Sequence, residues 1–282
     1  DIHQEYADRC RQKLIILMAT IADVVRVIES FAPVEIQENW DNCGLCAGSP
    51  DAELTGVLVG FDCTRALIDE AVECGANMVV THHPLIFHGL KKVDEADPVG
   101  DALIRAIRAG VAVYCAHTSA DKAPGGVSWA IAERLGLENV SVLDYDAAVS
   151  SEGFGCGLGI IGDFPAALSS DRAIEKVKEA FGLPYVRCSR PSDGLIRRVA
   201  ACGGAGSSLV DRARAAGAQL YLCGDVSYHH FFTPEGFMVM DIGHYESEID
   251  IVSILFSLIQ KNFPTFAVRI AQKSNNNPVF YL

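Results

Sequence analysis

The chain has 282 residues, of which 50% are apolar and 21% are charged, and its formal net charge is −13. This composition supports a sizeable folded core and excludes a disordered or collagen-like chain. The acidic balance disfavours non-specific binding to a nucleic-acid backbone, which requires clustered lysine and arginine. At roughly 150 residues per domain, the length suggests two domains or one large one.

Ten cysteines are spread along the chain, and several lie in apolar runs, which is typical of free thiols in a reducing compartment. Cys43 and Cys46 form the single C-x-x-C pair, and without a second pair a structural role is favoured over zinc binding. No run reaches the roughly 18 uninterrupted apolar residues that a membrane-spanning helix needs. We therefore expect a cytoplasmic protein without a membrane segment.

The first half of the chain predicts an amphipathic helix over residues 14–31, ended by Pro33, and then a turn-rich segment. Three short apolar runs follow, and they alternate with two segments of helical spacing. The strands are expected at 56–61, 78–80 and 111–115, and the helices at 64–74 and 101–109. This alternation is typical of a parallel α/β sheet, whose ligands lie beyond the carboxyl ends of the strands.

The second half predicts the same alternation. Strands are expected at 198–201, 219–223 and 237–242, helices at 173–181, 207–216 and 251–260, and terminal strands at 267–270 and 278–281. In both halves a strand leads to a histidine with an acid four residues later, at His117 and Asp121 and at His244 and Glu248. These parallels indicate an internal duplication of an α/β unit, and the two units could face each other across one site.

Histidines and carboxylates carry the chemistry that the sequence predicts. His82 and His83 follow one strand directly, and a spacing of four places each histidine–acid pair on one face of a helical turn. Surface loop histidines and surface ion pairs are the alternative interpretation. Imidazole and carboxylate together suit zinc, manganese, iron, cobalt or nickel. Four histidines and two acids exceed what one structural zinc needs, and they favour two ions that share a carboxylate and activate a water nucleophile.

Four sequence blocks resemble the signatures of the Nif-three-like family, whose members are often called GTP cyclohydrolase I type 2 homologues. The blocks are ENWDNCGL at 38–45, THHPLIF at 81–87, HTSAD at 117–121 with a following GGV, and GHYESE at 243–248. The resemblance runs from about Ile21 to Tyr281. It implies two intertwined, duplicated α/β units with mixed sheets flanked by helices, and a ring-shaped homohexamer. We assign residues 1–130 with 249–282 to the first unit and 131–248 to the second, with the metal site between them.

The resemblance also implies a dinuclear metal site on this chain. Its ligands would be His82, His83, Asp121, His244 and Glu248. Glu248 would bridge the ions, His83 and Asp121 would hold one, and His82 and His244 the other. The resemblance leaves the metals open among zinc, iron, manganese, nickel and cobalt. The usual HTNLD block is HTSAD here, so the ligand Asp121 is kept while Ser119 and Ala120 are smaller than their counterparts.

Several other residues have two interpretations each. His117 acts as a general acid–base or packs at a strand end. Trp40 lines a pocket or, as we favour, is buried beneath a loop. His229 and His230 echo His82 and His83, and pocket lining or a core hydrogen bond is favoured for them. The glycine-rich segment 203–206 lacks the pattern of a phosphate loop and is expected to be a turn.

Three functions are compatible with this sequence. The first is a metal-dependent hydrolase that attacks a C–N or P–O bond of a small molecule, with Glu248 and His117 as catalytic residues. The resemblance implies a nucleotide as its substrate. The second is a metal-binding regulatory scaffold that docks a protein partner without catalysis. The third is metal storage or delivery. The acidic charge disfavours direct DNA binding in all three.

Overall fold

The computed structural model describes residues 19–150 and 155–280. Within them the chain forms two compact units, one of residues 19–117 with 252–280 and the other of residues 118–150 with 155–251. Residues 14–18 of the first expected helix and residue 281 of the last expected strand lie outside the described ranges.

The strands of the described residues form two sheets with parallel centres. They are β1 (Gly44–Ala47), β2 (Val57–Gly60), β3 (Met78–Thr81), β4 (Ala112–Cys115), β5 (Glu138–Tyr145), β6 (Gly157–Leu168), β7 (Arg187–Cys188), β8 (Ile196–Ala201), β9 (Leu220–Cys223), β10 (Met238–Asp241) and β11 (Val268–Ile270).

The α-helices range from five to thirteen residues. They are α1 (Ile21–Phe31), α2 (Arg65–Glu73), α3 (Pro98–Ala109), α4 (Thr118–Lys122), α5 (Val127–Leu135), α6 (Ser170–Phe181), α7 (Val210–Ala215), α8 (His244–Glu248) and α9 (Asp250–Asn262).

The sheet of the first unit has the order β1-β4-β3-β2-β11. Strands β2, β3, β4 and β11 are parallel, and β1 pairs antiparallel with β4. The central strands are buried along their whole length because both faces are covered, which explains their continuous apolar runs. Gly60 pairs with Thr81 and Thr81 with Cys115, so the three central strands end side by side.

The sheet of the second unit has the order β5-β6-β8-β9-β10-β7. Here β8, β9 and β10 are parallel, while β5, β6 and β7 run antiparallel to their neighbours. Two buried apolar clusters share this unit, one built around Phe164 and Ile196 and the other around Tyr221 and Val239. A buried apolar cluster that includes Leu58 lies in the first unit.

Local signals fix the helix ends. The Thr64 hydroxyl accepts a hydrogen bond from the backbone N–H of Leu67 at the start of α2. The Asp97 carboxylate caps α3, which begins with a proline. Gly110 and Gly182 end α3 and α6 in the left-handed conformation that favours glycine.

The two units repeat one topology. In each, three consecutive parallel strands are joined by helical connections, and a preceding antiparallel strand, β1 or β7, pairs with the third of them. The expected α/β class with mixed sheets flanked by helices is therefore confirmed. The expected strand over 278–281 is wrong for its described part, since residues 278–280 form no strand. Strands β5 and β6, and helix α5, were not predicted.

Candidate functional site

Three histidines meet at the carboxyl edge of the first unit's sheet. His82 and His83 follow β3 directly, and His117 lies two residues beyond β4. Because these strands end in register, one ring nitrogen from each histidine lies within 4.8 Å of the others. The backbone N–H groups of His82 and His83 both donate to the carbonyl oxygen of Phe61, at 3.2 and 3.1 Å, which fixes the turn that carries them.

Each of these imidazoles is oriented through its Nδ1 atom. Nδ1 of His82 lies 3.0 Å from the carbonyl oxygen of Ala116, which can only accept. Nδ1 of His83 lies 2.7 Å from the Asp62 carboxylate, and Nδ1 of His117 lies 2.8 Å from the Asp41 carboxylate. Donation from Nδ1 leaves Nε2 as the nitrogen with a lone pair, which is the tautomer that a metal ligand needs.

Aromatic rings surround the three histidines. Phe61 stacks on His82 at 5.8 Å between ring centroids, and its edge meets His83 at 4.7 Å. Trp40 and Phe87 each approach the ring of His117, at 6.1 and 6.0 Å. The expectation that Trp40 is buried beneath a loop is wrong, because 58% of its surface is exposed.

The second unit carries its own group of donors. His244 and Glu248 begin and end α8, and Nε2 of His244 lies 3.0 Å from Oε2 of Glu248. Zinc binds nitrogen and oxygen ligands at about 2.0–2.2 Å, so two donor atoms this close together could reach one ion. Nδ1 of His244 lies 2.7 Å from the Asp225 carboxylate, which orients this imidazole as well.

Asp121 extends this second group. It lies on α4, and one of its carboxylate oxygens is within 4.8 Å of one from Glu248. The neighbouring Cys202 thiol is fully buried, and this burial, with the charges of Asp121 and Glu248, raises its pKa well above the usual range. Within the described residues, the groups of side chains that could hold an ion here consist of histidine, aspartate and glutamate, so the donors are nitrogen and oxygen.

A glycine turn cradles Glu248. Gly203 and Gly204 follow β8, and a Cβ atom on Gly204 would overlap Oε1 of Glu248 and lie 3.3 Å from Cε1 of His244. The Ser247 hydroxyl accepts the N–H of Gly204 at 3.0 Å and donates to the carbonyl of His244 at 2.7 Å. The expected turn is present, and it brings the backbone against the donors of α8.

The second histidine pair lies in a different environment. His229 is exposed and His230 half-buried on a 3₁₀ turn, Tyr228–Phe231, so the expectation of a core hydrogen bond is wrong for His229. Nδ1 of His230 instead lies 2.8 Å from the Ser227 hydroxyl.

Three orienting carboxylates escaped the sequence analysis as functional residues. Asp62 lies two residues beyond β2 and Asp225 two beyond β9, at the sheet edges where ligands were expected. Asp41 lies within the turn block that precedes β1, and its side chain is fully buried. The position of Asp62 and Asp225 at strand ends was the available signal, whereas nothing local marks Asp41 as a partner of His117.

Known proteins share this architecture. Residues 19–278 match the family model described as Duf34/NIF3 (NGG1p interacting factor 3). The chain belongs to the DUF34/NIF3 family. A GTP cyclohydrolase 1 type 2 homolog of Lactococcus lactis is 34% identical over 80% of this chain and 86% of its own length. One from Clostridium acetobutylicum is 30% identical over 81% of this chain and 85% of its own.

Solved structures agree with this family membership. The crystal structure of Staphylococcus aureus protein SA1388 superposes with a TM-score of 0.82 and 26% identity, covering 94% of this chain and 99% of that one. The fold and the family resemblance are therefore confirmed, and the DUF34/NIF3 chain carries histidine and glutamate groups that could hold a metal ion. No helix within residues 19–150 and 155–280 has the length and apolar character to cross a membrane.

Proposed function

We propose that this DUF34/NIF3 chain binds two divalent metal ions through His82, His83, Asp121, His244 and Glu248, and that it is a hydrolase acting on a C–N or P–O bond. One observation carries the proposal. Nδ1 of each of these three histidines lies within 3.0 Å of an oxygen that accepts from it, so Nε2 is the atom that each imidazole offers to a metal.

The course of the chain supports a site that combines both groups of donors. The first unit ends at His117, and Asp121 lies four residues later in the second. Glu248 lies four residues before the chain returns to the first unit at Val252. Four residues span at most about 14 Å, so Asp121 lies within that distance of His117, and Glu248 within it of the point where the chain re-enters the first unit.

The residues have distinct roles in this proposal. Glu248 would hold the ions together with Asp121 and His244, because both of these side chains approach it. Divalent ions held there would supply a water of lowered pKa and would stabilise negative charge that develops on the electrophile. His117 donates from Nδ1 to Asp41, so its Nε2 can take a proton from the nucleophile or give one to a leaving group.

The names of the relatives bear on the substrate. They are called GTP cyclohydrolase 1 type 2 homologs, and water attack on the imidazole carbon of a purine opens that ring at a C–N bond. We therefore propose purine nucleotides as the first substrates to assay. We also propose that the chain assembles as a homohexamer and that it is located in the cytoplasm.

A regulatory scaffold is the second candidate. The family description names an interacting factor, which favours a protein partner. The net charge of −13 suits a basic partner protein better than DNA. In this function the metals would have a structural role in the scaffold. Because the protein would catalyse no reaction, substituting a metal ligand would change no reaction rate.

Metal stoichiometry and a paired glutamate substitution test the proposal. We expect about two first-row metal ions per chain by elemental mass spectrometry of protein purified without chelator. Glu248→Gln should lower this content and abolish turnover of any nucleotide substrate found. Glu246→Gln removes the same charge from the same helix, α8, and should change neither. Protein that takes up no metal after reconstitution would refute the proposal, and metal without dependence on Glu248 would refute its ligand assignment.

A further inference from the structure

Two exposed aromatic rings stand beside His117. Trp40 is 58% exposed and Phe87 is 40% exposed, although side chains of this size are usually covered. Their ring centroids are 5.7 Å apart with the planes at 60°, and each also contacts His117 edge-on. The three rings form one group, which we call the aromatic corner.

The aromatic corner is held in place by its backbone. The side-chain amide of Asn42 donates to the carbonyl oxygen of Ile86 at 2.7 Å and ties the turn that carries Trp40 to the segment that carries Phe87. The Cys115 thiol lies 3.1 Å from the carbonyl oxygen of Asn42 and ties the same turn to β4. Because both segments are anchored, the exposed rings are presented in a defined geometry.

We propose that Trp40 and Phe87 bind a planar aromatic ring of the substrate, such as a purine base, beside His117. Edge-to-face packing leaves a ring face available for stacking, and every base offers a π-face. The nearby Nε2 atoms of His82, His83 and His117 would then meet the same molecule. The substrate class named here rests on the proposed function, whereas ring binding itself requires no metal.

A small molecule fits the aromatic corner better than a protein. A stable protein interface buries roughly 800 Å² on each partner, many times what two partly exposed rings offer. A second copy of this chain is the competing occupant, and the experiment separates the two.

Tryptophan fluorescence reports on this subsite directly. The chain has two tryptophans, and Trp129 is partly buried against the core of the second unit. In a Trp129→Phe variant the emission comes from Trp40. With metal removed, adenosine and guanosine should quench this emission saturably, and ribose 5-phosphate, which has no aromatic ring, should not. Quenching by all three alike, or by none at millimolar concentration, would overturn the proposal.

Side-chain substitutions test the same subsite by equilibrium dialysis with the two nucleosides. Trp40→Ala and Phe87→Ala should each weaken binding roughly tenfold, as loss of a stacking partner does, while Trp40→Phe should retain most of it. Ile107→Ala is the control, because Ile107 is 65% exposed near the carboxyl end of α3, which leads to the opposite end of β4 from His117. Unchanged binding in Trp40→Ala would refute the proposal.

Two further outcomes distinguish a nucleoside subsite from a copy-to-copy interface and from the metal site. Emission that changes with protein concentration and not with nucleoside would identify a copy-to-copy interface and refute the subsite. Metal content is measured on the same samples. Two ions without nucleoside binding would refute the subsite and leave the metal proposal standing, and nucleoside binding without metal uptake would do the reverse.

Discussion

Substituting Gly204 tests whether the glycine turn positions Glu248. Gly204 has a φ of +58°, so alanine there adopts the left-handed region, at a cost of about 1–2 kcal/mol in the free energy of unfolding. The new Cβ would also overlap Oε1 of Glu248, and we expect the carboxylate to retreat by about 1 Å. A ligand atom must lie within about 0.2 Å of its ideal distance from the metal. A displacement of about 1 Å should therefore lower the metal affinity at least roughly tenfold.

Gly182 provides the matched control for this substitution. It has a φ of +65° in the same unit, and nothing lies within 4 Å of a Cβ built on it. Gly182→Ala should therefore reproduce the loss of stability without the loss of metal. Urea unfolding of the metal-free proteins measures the first effect, and competition with a metal-sensitive dye measures the second. Equal metal affinity in the two variants would show that Glu248 is not a ligand held by this turn.

Three other predictions address the orienting carboxylate, the metal and the C-terminal segment. Asp62→Asn keeps an acceptor for Nδ1 of His83 but removes its charge, so metal affinity should fall about tenfold, while Asp51→Asn on an exposed turn should leave it unchanged. Adding metal at about 100 times its dissociation constant should stabilise the fold by about 2.7 kcal/mol, and chelator should remove that gain in a thermal melt. Burial raises the pKa of Glu70, but hydrogen bonds from the N–H of Gln272 and from Ser274 more than offset it, and the net pKa is lowered. A lowered native pKa stabilises the fold above the unfolded value of 4.5 and loses that effect as pH falls through the native value. Glu70→Gln should therefore be less stable than wild type at pH 7, with a difference that shrinks below pH 4.5. Glu133→Gln, at an exposed position of α5, is its control.

The sequence predicted the elements whose signals are local. The central strands of both sheets are apolar runs bounded by glycine or polar residues, and the structure places strands at each of them. Strand β5 was missed because most of its residues are exposed or only partly buried, and β6 because three glycines and a proline interrupt it. These two strands form because β5 pairs with β6 and β6 pairs with β8, which are contacts between residues distant in the sequence.

The donors were predictable from the sequence, whereas the pairing of each donor with its supporting carboxylate was not. Histidines at the ends of predicted strands, and acids four residues beyond two of them, can be identified from the amino-acid sequence alone. The pairing of His117 with Asp41 joins residues 76 apart, and that of His83 with Asp62 joins residues 21 apart. The exposure of Trp40 also depends on the tertiary structure. Its apolar side chain favours burial, and only the fold determines whether other residues cover it.

The duplicated topology explains how ligands and supports are divided between the units. After the first parallel strand, the first unit has Asp62, which orients His83, and the second has Gly204, which makes room for Glu248.

After the second parallel strand, the first unit has His82 as a donor, and the second has Asp225, which orients His244. After the third, both units lead to a histidine, His117 in the first and His244 in the second. The edge position after the second strand therefore serves as donor in one copy and as support in the other. The two copies therefore offer different side chains at these edges, with imidazoles in the first unit and an imidazole with carboxylates in the second.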